Sequence, residues 1–487
     1  MLLCSGRDQS TFVLKITVMK IEQIYTGCLA QGAYYIESEG EVAIIDPLRE
    51  IKPYLTRAKQ DGAQIKYIFE THFHADFVSG HITLSQQTGA PIVYGPLANP
   101  KFDALIAEDG QEFQLGKVKI TVLHTPGHTM ESTTYLLQDE NGKDHAIFSG
   151  DTLFLGDVGR PDLAQKAADM TQEDLAGMLF DSLRSKIMPL ADDVIVYPAH
   201  GAGSACGKNM MKETVDTLGN QKQMNYALRA DMSRDEFIKE VTDGLLPPPQ
   251  YFPLNVKMNK EGYESIDSVL DRGLTALDPA AFETLAEETG AIVLDVRHQN
   301  EFVKGHIPRS IFIGLDGSFA PWVGALIADV EQPILLVAPE GRESEAITRL
   351  SRVGFDKTMG FLKGGFEAWK SASKEYDTLS QMTADELKAQ PELSVFDVRK
   401  PGEFEAEHLP DAHSTPLDFL NDHMAEISQA EGSLVLHCAG GYRSVIAASI
   451  LKSRGIHQLI DLIGGFKAIK DAGMEVTNFQ CPSQQSN

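Results

Sequence analysis

The sequence predicts an α/β protein in which a large first domain precedes two smaller domains that are homologous to each other. Short β-rich apolar runs end in histidine or aspartate, as in "IKYIFETH" and "DVIVYPAH", and helical stretches separate them. The proline-rich segment "GLLPPPQYFP" ends this pattern near residue 245. A long motif then occurs twice, which indicates two copies of one α/β domain.

The repeat defines the expected domain boundaries. "VLDVRHQNEFVKGHIPRS" (293–310) matches "VFDVRKPGEFEAEHLPDA" (395–412), and "GGFEAW" matches "GGFKAI" further along the chain. We therefore expect a first domain over 19–245, a connecting segment over 246–275, and repeat domains over 276–375 and 376–480. Residues 1–18 are expected to form an N-terminal extension without signal-peptide features, and residues 481–487 a tail.

Composition excludes several classes of partner. The chain has 487 residues and a formal net charge of −26, which argues against binding to nucleic acid or to an anionic membrane. No apolar run approaches the roughly 18 residues that span a bilayer. The five cysteines are scattered, which indicates a reducing compartment, and we expect a cytoplasmic protein.

Histidine and aspartate residues recur at the predicted strand ends of the first domain. The candidates are Asp46, His72, His74, Asp76, His128 in "HTPGHT", Asp151 in "FSGDT" and His200 in "YPAHG". One buried histidine alone is usually structural, but this many in one domain predict a metal site. Phe77 stands where one more histidine would complete a two-metal cradle, and phenylalanine offers no donor atom.

These motifs, in this order, resemble the metallo-β-lactamase superfamily over roughly residues 20–245. The resemblance implies an αββα sandwich that often binds two metals, and it implies that Phe77 removes a ligand from the second site. His72, His128 and Asp151 then remain as the implied ligands of one metal. His74, Asp76 and His200 are implied to orient these ligands or polar partners, or to be structural remnants.

The ligand types leave the metal open. Two histidines and a carboxylate are typical of non-haem Fe(II) oxygenases, but catalytic zinc sites also use three protein ligands. "THFHADF" with "GDTLFLGDVGRPDL" and "YPAHGAGSACGK" is similar to the persulfide dioxygenases of the superfamily. This resemblance implies mononuclear Fe(II) and oxidation of a thiol persulfide by O2 to sulfite, with zinc as the metal if the site is a hydrolase.

Two residues near these motifs are candidates for substrate contacts. Arg160 follows Asp151 by nine residues and is predicted to bind a carboxylate or phosphate of the thiol carrier, with a structural arginine as the alternative. Cys206 follows His200 by six residues and is either a persulfide acceptor or a small buried residue, and the second interpretation is favoured.

The last domain contains a second candidate site. In "VLHCAGGYRS" (435–444) an apolar strand leads through Cys438 into a helical run. Gly440 and Gly441 permit tight curvature, so backbone N–H groups up to Ser444 are expected to bind an anion. The helix terminus and Arg443 are expected to favour the thiolate. The loop resembles the CxxGxR active loop of rhodaneses, which implies that Cys438 carries sulfur as a covalent persulfide.

The middle domain repeats the scaffold without this loop. Its sequence reads "LLVAPEGRES", with Ala338 in the position of Cys438, and Glu340 and Glu343 add negative charge. We expect an inactive rhodanese homologue that spaces or orients the two other domains.

The combination resembles bacterial persulfide dioxygenase–sulfurtransferase fusions. It implies a bifunctional enzyme of sulfide detoxification that acts on a small thiol persulfide and O2, with sulfite and thiosulfate as products, and that forms a homo-oligomer. Two alternatives stay open: a zinc-dependent thioester hydrolase of the glyoxalase II type with accessory rhodanese domains, and a sulfur carrier or persulfide sensor.

Overall fold

The computed structural model describes residues 19–165 and 169–477. The expected extension over 1–18 and tail over 481–487 lie outside these residues. The strands of the described chain are β1 (Lys20–Thr26), β2 (Gln31–Ser38), β3 (Glu41–Ile45), β4 (Gln64–Phe69), β5 (Ile92–Tyr94), β6 (Leu105–Ile106), β7 (Glu112–Leu115), β8 (Val118–His124), β9 (Thr133–Gln138), β10 (Asp144–Gly150), β11 (Ile195–Pro198), β12 (Asp216–Thr217), β13 (Ala276–Leu277), β14 (Ile292–Asp295), β15 (Ile311–Phe312), β16 (Ile334–Val337), β17 (Thr358–Leu362), β18 (Ser380–Met382), β19 (Ser394–Asp397), β20 (His413–Ser414), β21 (Leu434–His437) and β22 (Leu459–Leu462).

Helices cover the faces of the sheets these strands form. Their described bounds are Lys52–Asp61, His81–Thr88, Gln172–Ser182, Leu218–Met224, Arg234–Thr242, Phe252–Glu261, Ile266–Gly273, Pro279–Thr289, Gln299–Phe302, Phe319–Leu326, Glu343–Ser351, Gly365–Ser371, Ala384–Lys388, Pro401–Ala406, Met424–Gln429, Tyr442–Ser453 and Gly465–Asp471. None of the described helices is long and apolar enough to cross a membrane.

The first domain contains two six-stranded sheets, in the orders β1-β2-β3-β4-β5-β6 and β12-β11-β10-β9-β8-β7. Alternate residues of β2 explain how the layers form. Tyr34 and Ile36 belong to the core between the sheets, whereas Ala33 and Tyr35 pack on the side of helix Lys52–Asp61. Helices Gln172–Ser182 and Arg234–Thr242 cover the outer face of the second sheet. The predicted αββα sandwich is confirmed.

Several strands of this sandwich deliver polar residues directly after their last residue. β3 and β4 are parallel neighbours, and so are β10 and β11, so each pair ends at the same edge of its sheet. Asp46 follows β3, Glu70 follows β4 and Asp151 follows β10. The strand order therefore gathers residues that are distant in sequence at one end of the sandwich.

The two smaller domains each contain a five-stranded parallel sheet. Their orders, β13-β17-β16-β14-β15 and β18-β22-β21-β19-β20, are equivalent strand for strand. All neighbouring strands in both sheets run parallel, which confirms the predicted rhodanese-like α/β architecture.

The connecting segment contains more structure than its prolines suggest. Helices Phe252–Glu261 and Ile266–Gly273 lie within it. The buried Asn259 donates from Nδ2 to the carbonyls of His74 (2.8 Å) and Phe77 (2.7 Å), and Ile266–Gly273 packs on helix Glu343–Ser351. This segment therefore packs against both the first and the middle domain.

Buried polar contacts join the domains. The fully buried Arg49 pairs with Asp356 at 2.7 Å, which joins the first domain to the middle one. The Tyr442 hydroxyl donates to the Gly314 carbonyl at 2.7 Å, which joins the last domain to the middle one. One apolar cluster also includes Phe77, Tyr251, Trp322 and Cys438, so the cores of the three domains are continuous.

Candidate metal site and cysteine loop

The structure brings His72, His128 and Asp151 together. One ligand atom from each lies within 4.8 Å of the others, and all three side chains are buried. His128 Nε2 is 3.4 Å from Asp151 Oδ2, and His72 Nε2 is 3.9 Å from the same oxygen. Three donor atoms thus converge on one position, as a metal requires.

The other ring nitrogen of each histidine is held by the protein. His128 Nδ1 donates to the Arg160 carbonyl at 2.8 Å, and His72 Nδ1 lies 3.0 Å from Thr71 Oγ1. Thr71 Oγ1 in turn donates to Asp46 at 2.9 Å, so it accepts from His72. Both histidines therefore keep an unprotonated Nε2 for a metal.

Electrostatics support the same assignment. Burial, followed by the neighbouring histidines, lowers the pKa of His72 well below its ordinary value, so the ring is neutral, which is the form that binds metal. Both oxygens of Asp151 are buried without a hydrogen-bond partner of normal geometry among the described residues. A buried, unpartnered carboxylate is costly unless a cation neutralises it. These residues fit a metal ion.

His74, Asp76 and His200 form a second buried group beside the first. His200 Nε2 lies 3.5 Å from both Asp76 and Asp151, so this group contacts the first one directly. His74 Nε2 lies 3.1 Å from Asp46. Although burial alone would lower the pKa of His74, the carboxylates of Asp46, Glu70 and Asp76 raise it to about 9. His74 thus lies among carboxylates, and its group meets the same 4.8 Å limit as the first group.

Phe77 packs directly against this group. Its ring is fully buried, and its centroid is 4.3 Å from that of His74. Asn259 holds the backbone on both sides of it, as described above. An aromatic ring without a donor atom therefore packs beside this second group.

Cys206 and Arg160 are also placed by the structure. Cys206 is buried within the same 4.8 Å limit of Asp151 and His200, and burial raises the pKa of its thiol. Arg160 pairs with Asp162 through Nε (2.7 Å) and Nη2 (2.8 Å), and it also donates to the Leu246 and Ala205 carbonyls. Internal partners thus occupy the Arg160 side chain, and its predicted substrate contact stays a prediction that the geometry does not support.

Two residues at this site were missed by the sequence analysis. Glu70 is fully buried, receives a hydrogen bond from Ser79 at 2.6 Å and lies 3.7 Å from His74. Thr71 couples Asp46 to His72. Both stand in "FETHFH" directly before the first histidine. The signal available in the sequence was a pair of polar residues that stands between the buried strand β4 and His72.

The Cys438 loop follows β21 and precedes helix Tyr442–Ser453. Cys438 Sγ accepts a hydrogen bond from the Gly441 N–H at 3.1 Å, and Ser444 Oγ lies 3.7 Å from it. Gly441 has φ of 100°, a left-handed conformation that favours glycine. Ser444 is held by the buried Asp461 at 2.6 Å. The Gly441 N–H therefore donates to the cysteine sulfur, the Ser444 hydroxyl donates to Asp461, and anion binding by this loop stays a prediction.

Arg443 lies beside this loop and pairs with Glu403. Its Nη1 and Nη2 are 2.6 and 2.9 Å from the two carboxylate oxygens, a bidentate geometry. The Glu403 pair holds the guanidinium in place, and Arg443 lines the same cavity as Cys438. A cation is thereby kept near the sulfur.

One cavity lies beside both candidate sites, although His72, His128 and Asp151 themselves do not line it. A cavity of about 640 Å³ is lined by Asp76 from the first domain and by Cys438, Gly440 and Arg443 from the last. The sequence placed these residues in separate domains and predicted no contact between the sites.

The fold and the two sites define the class of this chain: a metallo-β-lactamase sandwich with a buried His/Asp site, followed by two rhodanese-like domains. Residues 26–200 match the metallo-beta-lactamase superfamily, and residues 278–372 and 380–472 match the rhodanese-like domain. The chain belongs to the metallo-β-lactamase superfamily.

Individual relatives add detail. The chain is 30% identical over 221 residues to the mitochondrial persulfide dioxygenase ETHE1 of Homo sapiens, covering 45% of this chain and 78% of that one. It is 33% identical over 187 residues to the cytoplasmic hydroxyacylglutathione hydrolase of Arabidopsis thaliana, covering 37% and 67%. A crystal structure described as a metallo-beta-lactamase from Staphylococcus aureus subsp. aureus COL aligns with a TM-score of 0.62 and 31% identity, covering 71% of this chain and 99% of that one.

Proposed function

We propose that this protein oxidises a low-molecular-weight thiol persulfide with O2 to sulfite, and that Cys438 transfers a second sulfur atom to sulfite to give thiosulfate. One observation carries the proposal. A buried set of His72, His128 and Asp151, with the buried Phe77 ring against the neighbouring His74, occurs in the same chain as a Cys438 loop whose Gly441 N–H donates to the cysteine sulfur. Iron(II), when bound by that set, would supply the redox chemistry between O2 and the persulfide.

The first reaction balances as RSSH + O2 + H2O → RSH + sulfite + 2 H⁺. Thr71 and the Arg160 carbonyl orient the two histidines, and the surrounding apolar residues exclude water from the ligands. Asp76 and His200, behind the ligands, are positioned to accept protons released as sulfite forms.

The second reaction needs no further oxidant. The Cys438 thiolate attacks the outer sulfur of RSSH, the S–S bond of the donor breaks, and the outer proton leaves with RSH. Sulfite then attacks the outer sulfur of the Cys438 persulfide, and thiosulfate leaves as the cysteine thiolate is restored. The Gly441 N–H and Arg443 stabilise negative charge on sulfur in both steps.

A thioester hydrolase is the second candidate, and the similarity to hydroxyacylglutathione hydrolase favours it. Hydrolysis of this kind by the superfamily uses two metals, and Phe77 occupies the place of a ligand of the second. We therefore rank it below the oxygenase. A chain with neither activity that still accepts sulfur on Cys438 would be a sulfur carrier.

The test compares the full chain loaded with iron(II) and with zinc. We expect O2 uptake with glutathione persulfide by the iron form alone, and no thioester hydrolysis by either form. Hydrolysis of S-lactoylglutathione by the zinc form without O2 uptake by the iron form would contradict the proposal. Asp151→Asn is expected to lower bound iron, measured by metal analysis, together with O2 uptake.

A further inference from the structure

The cavity beside Asp76 and Cys438 has walls from every domain. From the first domain come Asp76 and residues 202–205, from the connecting segment Tyr251, from the middle domain Trp322 and Ala325, and from the last domain Cys438. Its volume of about 640 Å³ lies within the roughly 300–1,000 Å³ of cavities that hold small-molecule ligands. A small anion can therefore occupy it.

On the side of the first domain, two buried residues separate the cavity from the His72, His128 and Asp151 group. Asp76 lines it and lies 3.5 Å from His200, which lies 3.5 Å from Asp151. Tyr251 is 4% exposed and also lines the cavity. A product leaving the His72, His128 and Asp151 group on this side enters the cavity beside Asp76.

The other end carries positive charge. Lys400 and Arg443 line the cavity together with Cys438, whereas Asp76 is the carboxylate at the opposite end. Asp418 also lines the Cys438 end, and burial raises the pKa of both Asp418 and Asp76. The two cations beside Cys438 favour movement of an anion toward it.

The middle domain forms one wall of the cavity and contacts Tyr251, which forms part of another wall. Pro321, Trp322 and Ala325 of helix Phe319–Leu326 line the cavity. Gly324 of the same helix packs on the Tyr251 ring so closely that a Cβ there would lie 2.5 Å from Tyr251 Cδ1. A domain that lacks the cysteine is therefore built into the boundary between the two sites.

We propose that sulfite formed at the His72, His128 and Asp151 site reaches the Cys438 persulfide inside this shared cavity, and that helix Phe319–Leu326 of the inactive domain forms its wall. The inference rests on the proposed function. Sulfite attacks the outer sulfur of the Cys438 persulfide, the S–S bond to Cys438 breaks, a new S–S bond forms in thiosulfate, and the cysteine thiolate is restored. No further oxidant or reductant is required.

Isotope dilution tests the inference on the unchanged chain. The iron(II)-loaded protein is supplied with unlabelled glutathione persulfide and O2 in a large excess of ³⁴S-sulfite, and the sulfonate sulfur of thiosulfate is analysed by mass spectrometry. Sulfite retained in the cavity has a high effective concentration, so we expect labelling at least about threefold below that of bulk sulfite. Labelling equal to that of bulk sulfite overturns the inference. Absence of thiosulfate contradicts the proposed function as well, and is a distinct result.

A pair of tryptophan substitutions tests the wall. Ala325 lines the cavity, whereas Ala328, three residues further, is exposed and does not line it. We expect Ala325→Trp to lower thiosulfate formed per O2 consumed by at least about twofold, with free sulfite rising to match, and Ala328→Trp to behave as the unchanged chain. In the metal-free protein, Ala325→Trp should also slow alkylation of Cys438 by iodoacetamide. If both variants fold and give equal thiosulfate per O2 and equal alkylation rates, helix Phe319–Leu326 does not form the wall of the path to Cys438. If Ala325→Trp fails to fold, the isotope result decides.

Discussion

In the middle domain the chain leaves β16 at Val337 and continues through Ala338, whereas in the last domain it leaves β21 at His437 and continues through Cys438. The sheets around these two positions have the same strand order. In the last domain Arg443 pairs with Glu403 beside the cysteine, whereas in the middle domain Glu343 occupies the corresponding position. The two domains therefore differ in the loop, although they share the frame that holds it.

The shared frame includes a buried ion pair. Arg297 is paired with Asp295 and Arg399 with Asp397, and each arginine also donates to a backbone carbonyl eight residues further along. Both aspartates end a central strand, directly before the turn that precedes a helix. The difference between the domains shows that this scaffold persists where the loop lacks the cysteine, because the interior residues form the frame and the loop residues do not.

The largest effect is expected from removing the nucleophile. Cys438→Ser should lower sulfur transfer by at least about 10³-fold, because no other group in the loop can carry the sulfur. O2 uptake should persist, so the product should shift from thiosulfate to sulfite. Ion chromatography of both anions measures the shift, and an unchanged product ratio would show that the two activities are not coupled.

The reverse exchange sharpens the comparison. Ala338→Cys places a thiol at the corresponding position of the middle domain, but Glu343 stands where the last domain has Arg443. We therefore expect no detectable sulfur transfer from Ala338→Cys in the Cys438→Ser background. Sulfur transfer by this double variant would contradict the expectation. It would mean that a cysteine in the shared frame suffices without the loop arginine.

The buried pairs should matter equally in both domains. Arg297→Met and Arg399→Met each leave an unpaired buried aspartate, which we expect to cost about 3–5 kcal/mol in the free energy of unfolding of the affected domain. Hydrogen exchange of β14 and β19 measures each domain separately. Arg454→Met, at an exposed position, is the control, with an expected change within about 0.5 kcal/mol. A large effect in one domain only would disprove the equivalence of the frames.

The loop arginine should have a smaller effect than the cysteine. Arg443→Gln removes the cation near the sulfur and leaves Glu403 without its partner, and we expect sulfur transfer to fall about 10²-fold. Arg454→Gln serves as the matched control. O2 uptake should be unchanged in both variants, and a fall in O2 uptake would indicate that the arginine acts outside the loop.

The smallest effect concerns pH. Burial lowers the pKa of His437 below its ordinary value of 6.5, so the unfolded chain binds this proton more readily than the folded one. The contribution of His437 is thus favourable above pH 6.5 and is lost as the pH falls below it, toward the folded pKa. His437→Val reproduces Val337 of the middle domain and should flatten the pH dependence of stability below pH 6.5. Urea unfolding followed in the last domain measures the slope, and an unchanged slope would contradict the assignment.

Much of the fold was predictable because its signals are local. Alternation along strands, polar residues at strand ends and a repeated motif each arise within a short stretch of chain. The helices over 246–275 were not predicted, because the prolines of "GLLPPPQYFP" were interpreted as breaking helices. Pro253 instead lies in the first turn of Phe252–Glu261, where a missing N–H costs nothing.

The residues of the candidate sites were predictable from the sequence, but their surroundings were not. Motifs that resemble known families selected His72, His128, Asp151 and Cys438, and the structure places the first three together. The environment of Arg160 could not be predicted, because its partners Asp162, Ala205 and Leu246 meet it only in the folded chain. Glu70 likewise gains its role from Asp46, which follows the neighbouring strand β3, and from His74, four residues further along the chain.

The sequence by itself determined the ligand types, the presence of one loop cysteine and the homology of the two smaller domains, because these are properties of short segments. Only the tertiary structure decided that Asp76 and Cys438 line one cavity and that Trp322 stands between their domains. The physical reason is that docking depends on the complementary shapes of surfaces assembled from several segments. Neither the hydrophobic periodicity nor the motifs of one short segment predict such a surface.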